Sequence, residues 1–139
     1  MKNARIWNTG LSAVAILLTA GGCASTGLRD AASRGEIDRV RSLLSIGADV
    51  NAAKADGVTP LYSASLHGHT AVVTLLLERG ANLDATTTPD GFTALWAASA
   101  QGHLEVVGLL LAHQANVGVR ARGFTPLWMA AREGHAEVA

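Results

Sequence analysis

The sequence has a single cysteine, Cys23, among its 139 residues, so no disulfide can form within the chain. Its 11 basic residues balance 11 acidic ones, and the cationic surface expected of a nucleic-acid-binding protein is therefore lacking. Gly-x-Ser-x-Gly, a phosphate-cradling glycine loop and Cys-x-x-Cys are absent as well. These absences argue against both nucleic-acid binding and catalysis.

The first 22 residues have the order of a secretory signal peptide. Lys2 and Arg5 form a short positive region, residues 11–20 are a nearly unbroken apolar run, and small residues follow. The run is about half the ~20 residues that a membrane-spanning helix needs. We therefore predict a signal peptide over residues 1–22, with an uncleaved membrane anchor as the alternative.

Cys23 directly follows the small residues, an arrangement that resembles the lipobox of bacterial lipoproteins. The resemblance implies cleavage before Cys23, acyl chains on its sulfur and new amino group, and a short linker over residues 23–27. Ala20 stands where the family usually has leucine. Because Ala24 is not aspartate, the resemblance implies an outer-membrane location. The alternative is ordinary cleavage near Gly22, which leaves a soluble secreted or periplasmic protein.

From residue 56 onward the sequence repeats itself. Asp-Gly-Val-Thr-Pro-Leu at 56–61 returns as Asp-Gly-Phe-Thr-Ala-Leu at 90–95 and as Arg-Gly-Phe-Thr-Pro-Leu at 122–127. A Gly-His pair also recurs once in each unit, at 68–69, 102–103 and 134–135. Repetition at this period is typical of stacked arrays in which no unit buries its apolar face alone. It favours a binding scaffold over an enzyme.

Each unit predicts two short helices. Thr59 is a good N-cap and Pro60 follows it at the first helical position, where its missing N–H costs nothing. Gly68 should end that helix in the left-handed conformation. The second helix is expected from about Thr70 to Arg79. It carries a broad set of apolar residues, as expected for a helix that is covered on several sides. These residues are Val72, Val73, Leu75, Leu76 and Leu77, and their counterparts in the next unit are Val106, Val107, Leu109, Leu110 and Leu111.

Together these features resemble the ankyrin repeat: Thr-Pro-Leu, two small residues, Gly-His, Val-Val, Leu-Leu, then Gly-Ala-Asp/Asn. The resemblance covers residues 28–139 and implies an all-α solenoid of helix-turn-helix pairs with short β-turn fingers. Its units would be a polar capping repeat at 28–55, repeats at 56–88 and 90–121, and a partial repeat at 122–139. Because terminal units need a polar outer face, we expect the chain to be truncated at its C-terminus.

Three features depart from the family pattern, and the first is a one-residue slip in the unit spacing over residues 86–89, which we expect to form a turn. Tyr62, Trp96 and Trp128 replace the histidine after Thr-Pro-Leu, so its usual hydrogen bonds between units cannot form. We expect these aromatics to pack between neighbouring units, with partner contact as the alternative. Gln114 stands where Gly47 and Gly80 end earlier second helices, and a left-handed conformation there should cost about 1–2 kcal/mol.

The histidines suggest a metal site that the repeat argues against. His69, His103 and His135 share one repeat position, and stacked helices lie ~8–10 Å apart, whereas zinc ligands sit ~2 Å from one ion. They cannot converge on a single metal, so we predict neither a metal site nor a cofactor.

Binding should use exposed positions whose identity the repeat does not dictate. In the family these are the finger tips and the exposed side of each first helix, which line the concave groove. Apolar tips flanked by polar residues suit a protein partner. The predicted contacts are Val58, Phe92 and Phe124 near the tips, and Ser63, Leu66, His67, Ala97, Ala100, Gln101, Met129 and Arg132 on the helices.

The sequence therefore predicts a non-catalytic protein-binding scaffold. We expect it to be exported to the bacterial cell envelope and held by lipid at the outer membrane or the periplasmic face. Two alternatives stay open: a soluble secreted or periplasmic effector, and a regulatory ankyrin module of a longer enzyme.

Overall fold

The computed structural model describes residues 26–138, which form an all-α array. The helices of this part are residues 26–34 (α1), Ile37–Ser45 (α2), Pro60–Leu66 (α3), Thr70–Glu78 (α4), Ala94–Gln101 (α5), Leu104–Ala112 (α6) and Pro126–Arg132 (α7). Extended pairing within residues 26–138 is limited to an isolated bridge between Ala121 and Phe124. None of these helices is long and apolar enough to span a bilayer. The predicted signal peptide, Cys23 and most of the linker lie outside the described residues.

The helices stack as a two-layer solenoid. The first helices α3, α5 and α7 contact one another in order, as do the second helices α2, α4 and α6. Within a unit, α3 packs against α4 and α5 against α6. The predicted all-α solenoid is confirmed. Helices of seven to nine residues are marginal alone, so this stacking must supply their stability.

Each first helix of the three repeating units begins at a threonine N-cap. The hydroxyl oxygen of Thr59 accepts the backbone N–H of Tyr62 at 3.1 Å, and Thr93 and Thr125 repeat this bond at 3.2 Å. Pro60 and Pro126 hold the first helical position. The predicted caps are confirmed, because the extended backbone of each threonine lets its side chain reach an N–H that the helix cannot satisfy.

The Gly-His pair joins each unit to the one before it. Gly68 ends the first helix at φ 73°, and the ring of His103 lies so close that a Cβ on Gly68 would sit 2.5 Å from Nδ1. The ring of His69 lies against Gly35 in the same way, and its Nε2–H donates to the carbonyl oxygen of Ser33 at 2.9 Å. Glycine is thus required at this turn for conformation and for space.

The core follows the second helices. All five apolar residues predicted on α4 are buried, with exposed fractions of 9 % or less. On α6, Val106, Val107 and Leu110 are buried, Leu109 is half-buried, and Leu111 is 44 % exposed. Leu111 therefore departs from the expected covered helix, because no second helix follows α6 within residues 26–138.

The first unit has the polar exterior expected of a cap. It buries Leu28, Ala31, Ala32 and Val40 against the array. Its outer surface carries exposed ion pairs, among them Arg41 with Asp38 at 3.2 Å. Exposed pairs of this kind add little stability, so their main effect is to keep the end of the stack hydrated.

Within the described residues 26–138, two residues other than glycine adopt left-handed backbone conformations. Gln114 has φ 64°, as its place at the end of α6 predicts. Arg122, which precedes Gly123 at the third turn, has φ 50°. The one-residue slip over residues 86–89 lies in the connection between units, where residues 88–90 form a turn.

Candidate functional site

Three short turns, here called fingers, project ahead of α3, α5 and α7. Their tips are residues 56–57, 90–91 and 122–123. The backbone N–H of Thr88 donates to the carbonyl oxygen of Asp56 at 2.8 Å, and that of Arg122 donates to Asp90 at 3.2 Å. A Cβ on Gly57 would lie 2.7 Å from the carbonyl oxygen of Thr86. The fingers therefore stand side by side as one row.

An ion pair reinforces the contact between the second and third fingers. Nε of Arg122 lies 2.7 Å from Oδ1 of Asp90. The hydrogen bond from Arg122 holds the pKa of Asp90 below its ordinary value, and the same bond raises the pKa of Arg122. Burial, and secondarily the charge of Asp90, raises the pKa of Tyr62. Asp90 thus influences a residue of the unit before it and one of the unit after it.

Two stacks of aromatic rings and arginines fill the corner between the fingers and the first helices. In the first stack, the rings of Phe92 and Trp96 lie 4.2 Å apart between centroids, and the guanidinium of Arg122 lies 5.6 Å from the Phe92 centroid. Aromatic pairs and cation–π contacts at such distances are attractive. The arginine comes from the next unit, so the first stack also links two units.

The second stack lies within the last unit. The rings of Phe124 and Trp128 are stacked at 4.0 Å, and the guanidinium of Arg132 lies 5.6 Å from the Trp128 centroid. Trp128 and Arg132 are four apart on α7, a spacing that places side chains on one face of a helix, and Phe124 precedes the N-cap of that helix. Phe124 is 41 % exposed and Trp128 is 42 % exposed. This stack therefore presents a flat aromatic surface to solvent.

The sequence matches a known protein family. The family described as "Ankyrin repeats (3 copies)" matches residues 4–87 and 82–139, which is most of the chain. The chain belongs to the ankyrin repeat family. Ankyrin repeats are generally non-catalytic protein–protein interaction modules.

Three curated ankyrin relatives match single stretches of the chain. The Saccharomyces cerevisiae ankyrin repeat-containing protein YIL001W is 50% identical over 50 residues, 36% of this chain and 10% of the relative. Human ankyrin repeat domain-containing protein 39 is 42% identical over 61 residues, 44% of this chain and 33% of the relative. Mouse cyclin-dependent kinase 4 inhibitor B is 43% identical over 61 residues, 44% of this chain and 46% of the relative. The match thus spans less than half of each relative.

The ankyrin array exposes only some of the predicted contact residues. His67, Gln101, Phe124 and Arg132 are exposed, whereas Val58, Leu66, Phe92, Ala100 and Met129 are half-buried. Ser63 is 6 % exposed and Ala97 is completely buried. The prediction that these two residues form an exposed surface is wrong, because the first helices pack directly against one another and cover this position. Met129 occupies the same position on α7, which has a neighbour on one side only in the described array.

Two of the aromatic residues at the repeat position of Tyr62 make ring contacts within their own unit. Trp96 and Trp128 make their ring contacts with the phenylalanine of their own unit, rather than with the aromatic residue of a neighbouring unit. The indole Nε1 of Trp96 is buried and has no hydrogen-bond partner among residues 26–138. Trp96 therefore serves mainly in packing, and Trp128 is both packed and accessible.

Four histidine rings, those of His67, His69, His103 and His113, bond to backbone carbonyls. The ring centroids of His67 and His69 are 6.1 Å apart, and Nδ1–H of His67 donates to Ser63 at 2.9 Å. Within residues 26–138, no three His, Cys, Asp or Glu side chains lie close enough together to hold a metal ion. The hydrogen bonds assign these rings a structural role.

Sequence reasoning included Arg132 among the contacts but missed Arg122 and both stacks. Two signals could have revealed them. The finger tip changes from aspartate at Asp56 and Asp90 to arginine at Arg122, and Phe124, Trp128 and Arg132 follow one another at intervals of four. The charge reversal indicates an ion pair between fingers, and the spacing indicates a column of side chains.

Proposed function

We propose that this chain is a non-catalytic scaffold that binds a protein partner along the corner between its fingers and first helices. The observation that carries the proposal is the exposed stack of Phe124 on Trp128, with the guanidinium of Arg132 beside it. Large rigid aromatics with an arginine beside them are favoured anchors of protein interfaces. The family's general role as an interaction module supports this proposal.

The electrostatics support binding rather than catalysis. The shifted pKa values among the described residues belong to Tyr62, Asp90 and Arg122, and the ion pair of Arg122 with Asp90 explains them in part. Catalytic residues usually combine perturbed pKa values with an enclosed cleft. Here the pair lies at the finger tips, where it joins neighbouring units.

Crosslinking of the full chain to its neighbours tests the binding proposal. A Phe124→Asp/Trp128→Asp variant should lose specific crosslinked partners, because a carboxylate at either ring destroys the apolar platform. Leu104→Asp is the matched control: Leu104 is 50 % exposed but lies at the start of α6, on the second-helix layer. Circular dichroism should show that both variants fold. Recovery of the same partners with wild type and the double variant contradicts the proposal.

We further propose export to the bacterial cell envelope and attachment through acylated Cys23. The order of positive residues, apolar run, small residues and cysteine supports this. Several acyl chains on one anchor hold a protein far more firmly than a single chain. Since residues 23–27 reach at most ~3.5 Å each, the capping unit would lie next to the membrane and the fingers would extend away from it.

Metabolic labelling with a fatty acid tests the anchor. The wild-type chain should incorporate label and fractionate with membranes, and Cys23→Ser should do neither. In the matched control Cys23→Ser/Ser25→Cys, the thiol is displaced by two residues, and labelling should stay absent because processing reads the position of the cysteine. Unchanged labelling of Cys23→Ser excludes the anchor, without affecting the binding proposal.

A further inference from the structure

We infer that the partner contacts the last unit through an acidic segment, a statement that rests on the proposed binding function. The occupant is an extended stretch of protein with carboxylates beside an apolar side chain. The evidence is the exposed ring pair of Phe124 and Trp128, the guanidinium of Arg132 over Trp128, and two further exposed arginines, Arg120 and Arg122, in the finger of the same unit.

The three arginines are exposed and retain unused donors. Arg120 and Arg122 flank Ala121, which is completely buried, and both arginines are themselves exposed, as is Arg132. Arg122 uses its Nε for Asp90. Arg132 lies 3.9 Å from Glu133 through Nε, and Arg120 forms no ion pair within residues 26–138. The terminal nitrogens of all three guanidinium groups are therefore available.

The aromatic rings hold two of these guanidinium groups in place. Arg122 lies over Phe92 and Arg132 over Trp128, each 5.6 Å from the ring centroid. A guanidinium that rests on a ring loses less conformational entropy when it binds, and its planar fork matches a carboxylate in a bidentate manner. The exposed rings of Phe124 and Trp128, with Arg132 beside them, suit an apolar anchor of the same ligand.

Two of the three arginine positions are basic only in the last of the three repeating units, whereas the position of Arg120 is also basic in the first, as Lys54. The position of Arg122 is aspartate in both earlier units, Asp56 and Asp90, and the position of Arg132 is Leu66 in one and Ala100 in the other. The first residue of the finger tip thus changes from aspartate to arginine along the array. Complementary charge fixes the register of a ligand and speeds its association. An acidic segment is therefore held over the third finger.

The charge pattern favours an acidic protein segment over nucleic acid. The whole chain has zero formal net charge, and the three arginines are interrupted by Glu133 and by the pair with Asp90. Phosphate backbones are bound by continuous basic surfaces that neutralise many charges. Three separated guanidinium groups, two of which rest on aromatic rings, suit a few carboxylates instead.

Fluorescence anisotropy on the full chain tests the inference. The probe is a fluorescein-labelled peptide of glutamates around a central leucine, compared with peptides carrying glutamine or lysine in place of glutamate. Only the glutamate peptide should bind, and added salt should weaken it. Arg120→Glu/Arg132→Glu should weaken binding by about tenfold or more, because attraction becomes repulsion at both positions. These substitutions leave the pair of Arg122 with Asp90 intact.

Controls separate this inference from the binding proposal. Arg41→Glu/Arg79→Glu makes the same charge change on the second-helix layer and should bind the glutamate peptide as wild type does. Equal affinity of wild type and Arg120→Glu/Arg132→Glu overturns the inference, as does tighter binding of a labelled single-stranded oligonucleotide than of the glutamate peptide. If the glutamate peptide fails to bind while Phe124→Asp/Trp128→Asp still abolishes the crosslinks, the surface binds a protein segment that is not acidic, and the inference is wrong while the binding proposal stands. If the crosslinks persist as well, the proposed binding surface itself is wrong.

Discussion

The Nε2–H of His103 donates to the carbonyl oxygen of Leu66, 37 residues earlier in the chain, at 3.0 Å. Leu66 is the last residue of α3, and the imidazole ring rests on Gly68, two residues further on. The end of each helix leaves carbonyls without partners, and here the next unit satisfies one of them. The bond therefore stabilises a helix end and the contact between units together.

Substitution of His103 by alanine should destabilise the array by about 1–3 kcal/mol, because the Leu66 carbonyl loses its partner and a gap opens beside Gly68. Urea unfolding followed by circular dichroism measures this. His113→Ala is the matched control, since the ring of His113 is exposed and its Nδ1–H bonds within its own unit, to Leu109 at 2.9 Å. Equal losses for the two variants would contradict the role assigned to His103.

Gly68→Ala should be more destabilising than Gly80→Ala, although both replace a left-handed glycine. Gly80 has φ 81° with open space at its Cβ position, so its substitution incurs only the conformational cost of about 1–2 kcal/mol. At Gly68 the new Cβ also meets the His103 ring at 2.5 Å, and such overpacking adds about 1–3 kcal/mol. Gly68→Ala/His103→Ala should recover part of the added loss, and no recovery would show that the ring is not the obstacle.

The sequence alone predicts most of the local structure, because local rules determine it. A threonine N-cap followed by proline marks Thr59 and Thr125, and the glycine of each Gly-His pair marks a helix end. Even so, α4 ends at Glu78 rather than at the expected Arg79. Such a difference is ordinary, since helix ends fray and depend on the packing beyond them.

The candidate surface is less predictable, because it depends on contacts between units. Ser63 and Ala97 look exposed when each helix is considered alone, but neighbouring first helices cover them. The pair of Arg122 with Asp90 joins residues 32 apart. Neither the burial of Ser63 and Ala97 nor this ion pair follows from the hydrophobic pattern of one unit. That pattern indicates only which residues of the unit are apolar enough to be buried.

Acidification should remove the stabilisation that Asp90 supplies. The pKa of Asp90 is lower in the folded chain than its ordinary value of 3.8, chiefly through the hydrogen bond from Arg122. The ionised form therefore favours folding, so this contribution is fully present above pH 3.8 and is lost as the pH falls through the lower, folded-state pKa. The difference in unfolding free energy between wild type and Asp90→Asn should stay constant near neutral pH and shrink in acid.

The Arg122→Gln background controls for other titrating groups. Without the arginine, Asp90→Asn should change the unfolding free energy by an amount that depends far less on pH. High salt should also reduce the wild-type difference, because both side chains are partly exposed. An acid-dependent difference of equal size in the Arg122→Gln background would assign the effect to another partner of Asp90.

Gln114→Gly should stabilise the chain by about 1 kcal/mol. Gln114 has φ 64°, a conformation that strains an L-residue by about 1–2 kcal/mol, whereas glycine adopts it freely and loses only part of that gain through its greater freedom when unfolded. The side chain is exposed, so its removal opens no cavity. Gln101→Gly is the control with the opposite sign: Gln101 is also exposed but helical, and glycine there should cost about 0.5–1 kcal/mol. Paired urea titrations measure both changes, and destabilisation by Gln114→Gly would mean that the glutamine side chain contributes more than its backbone strain removes.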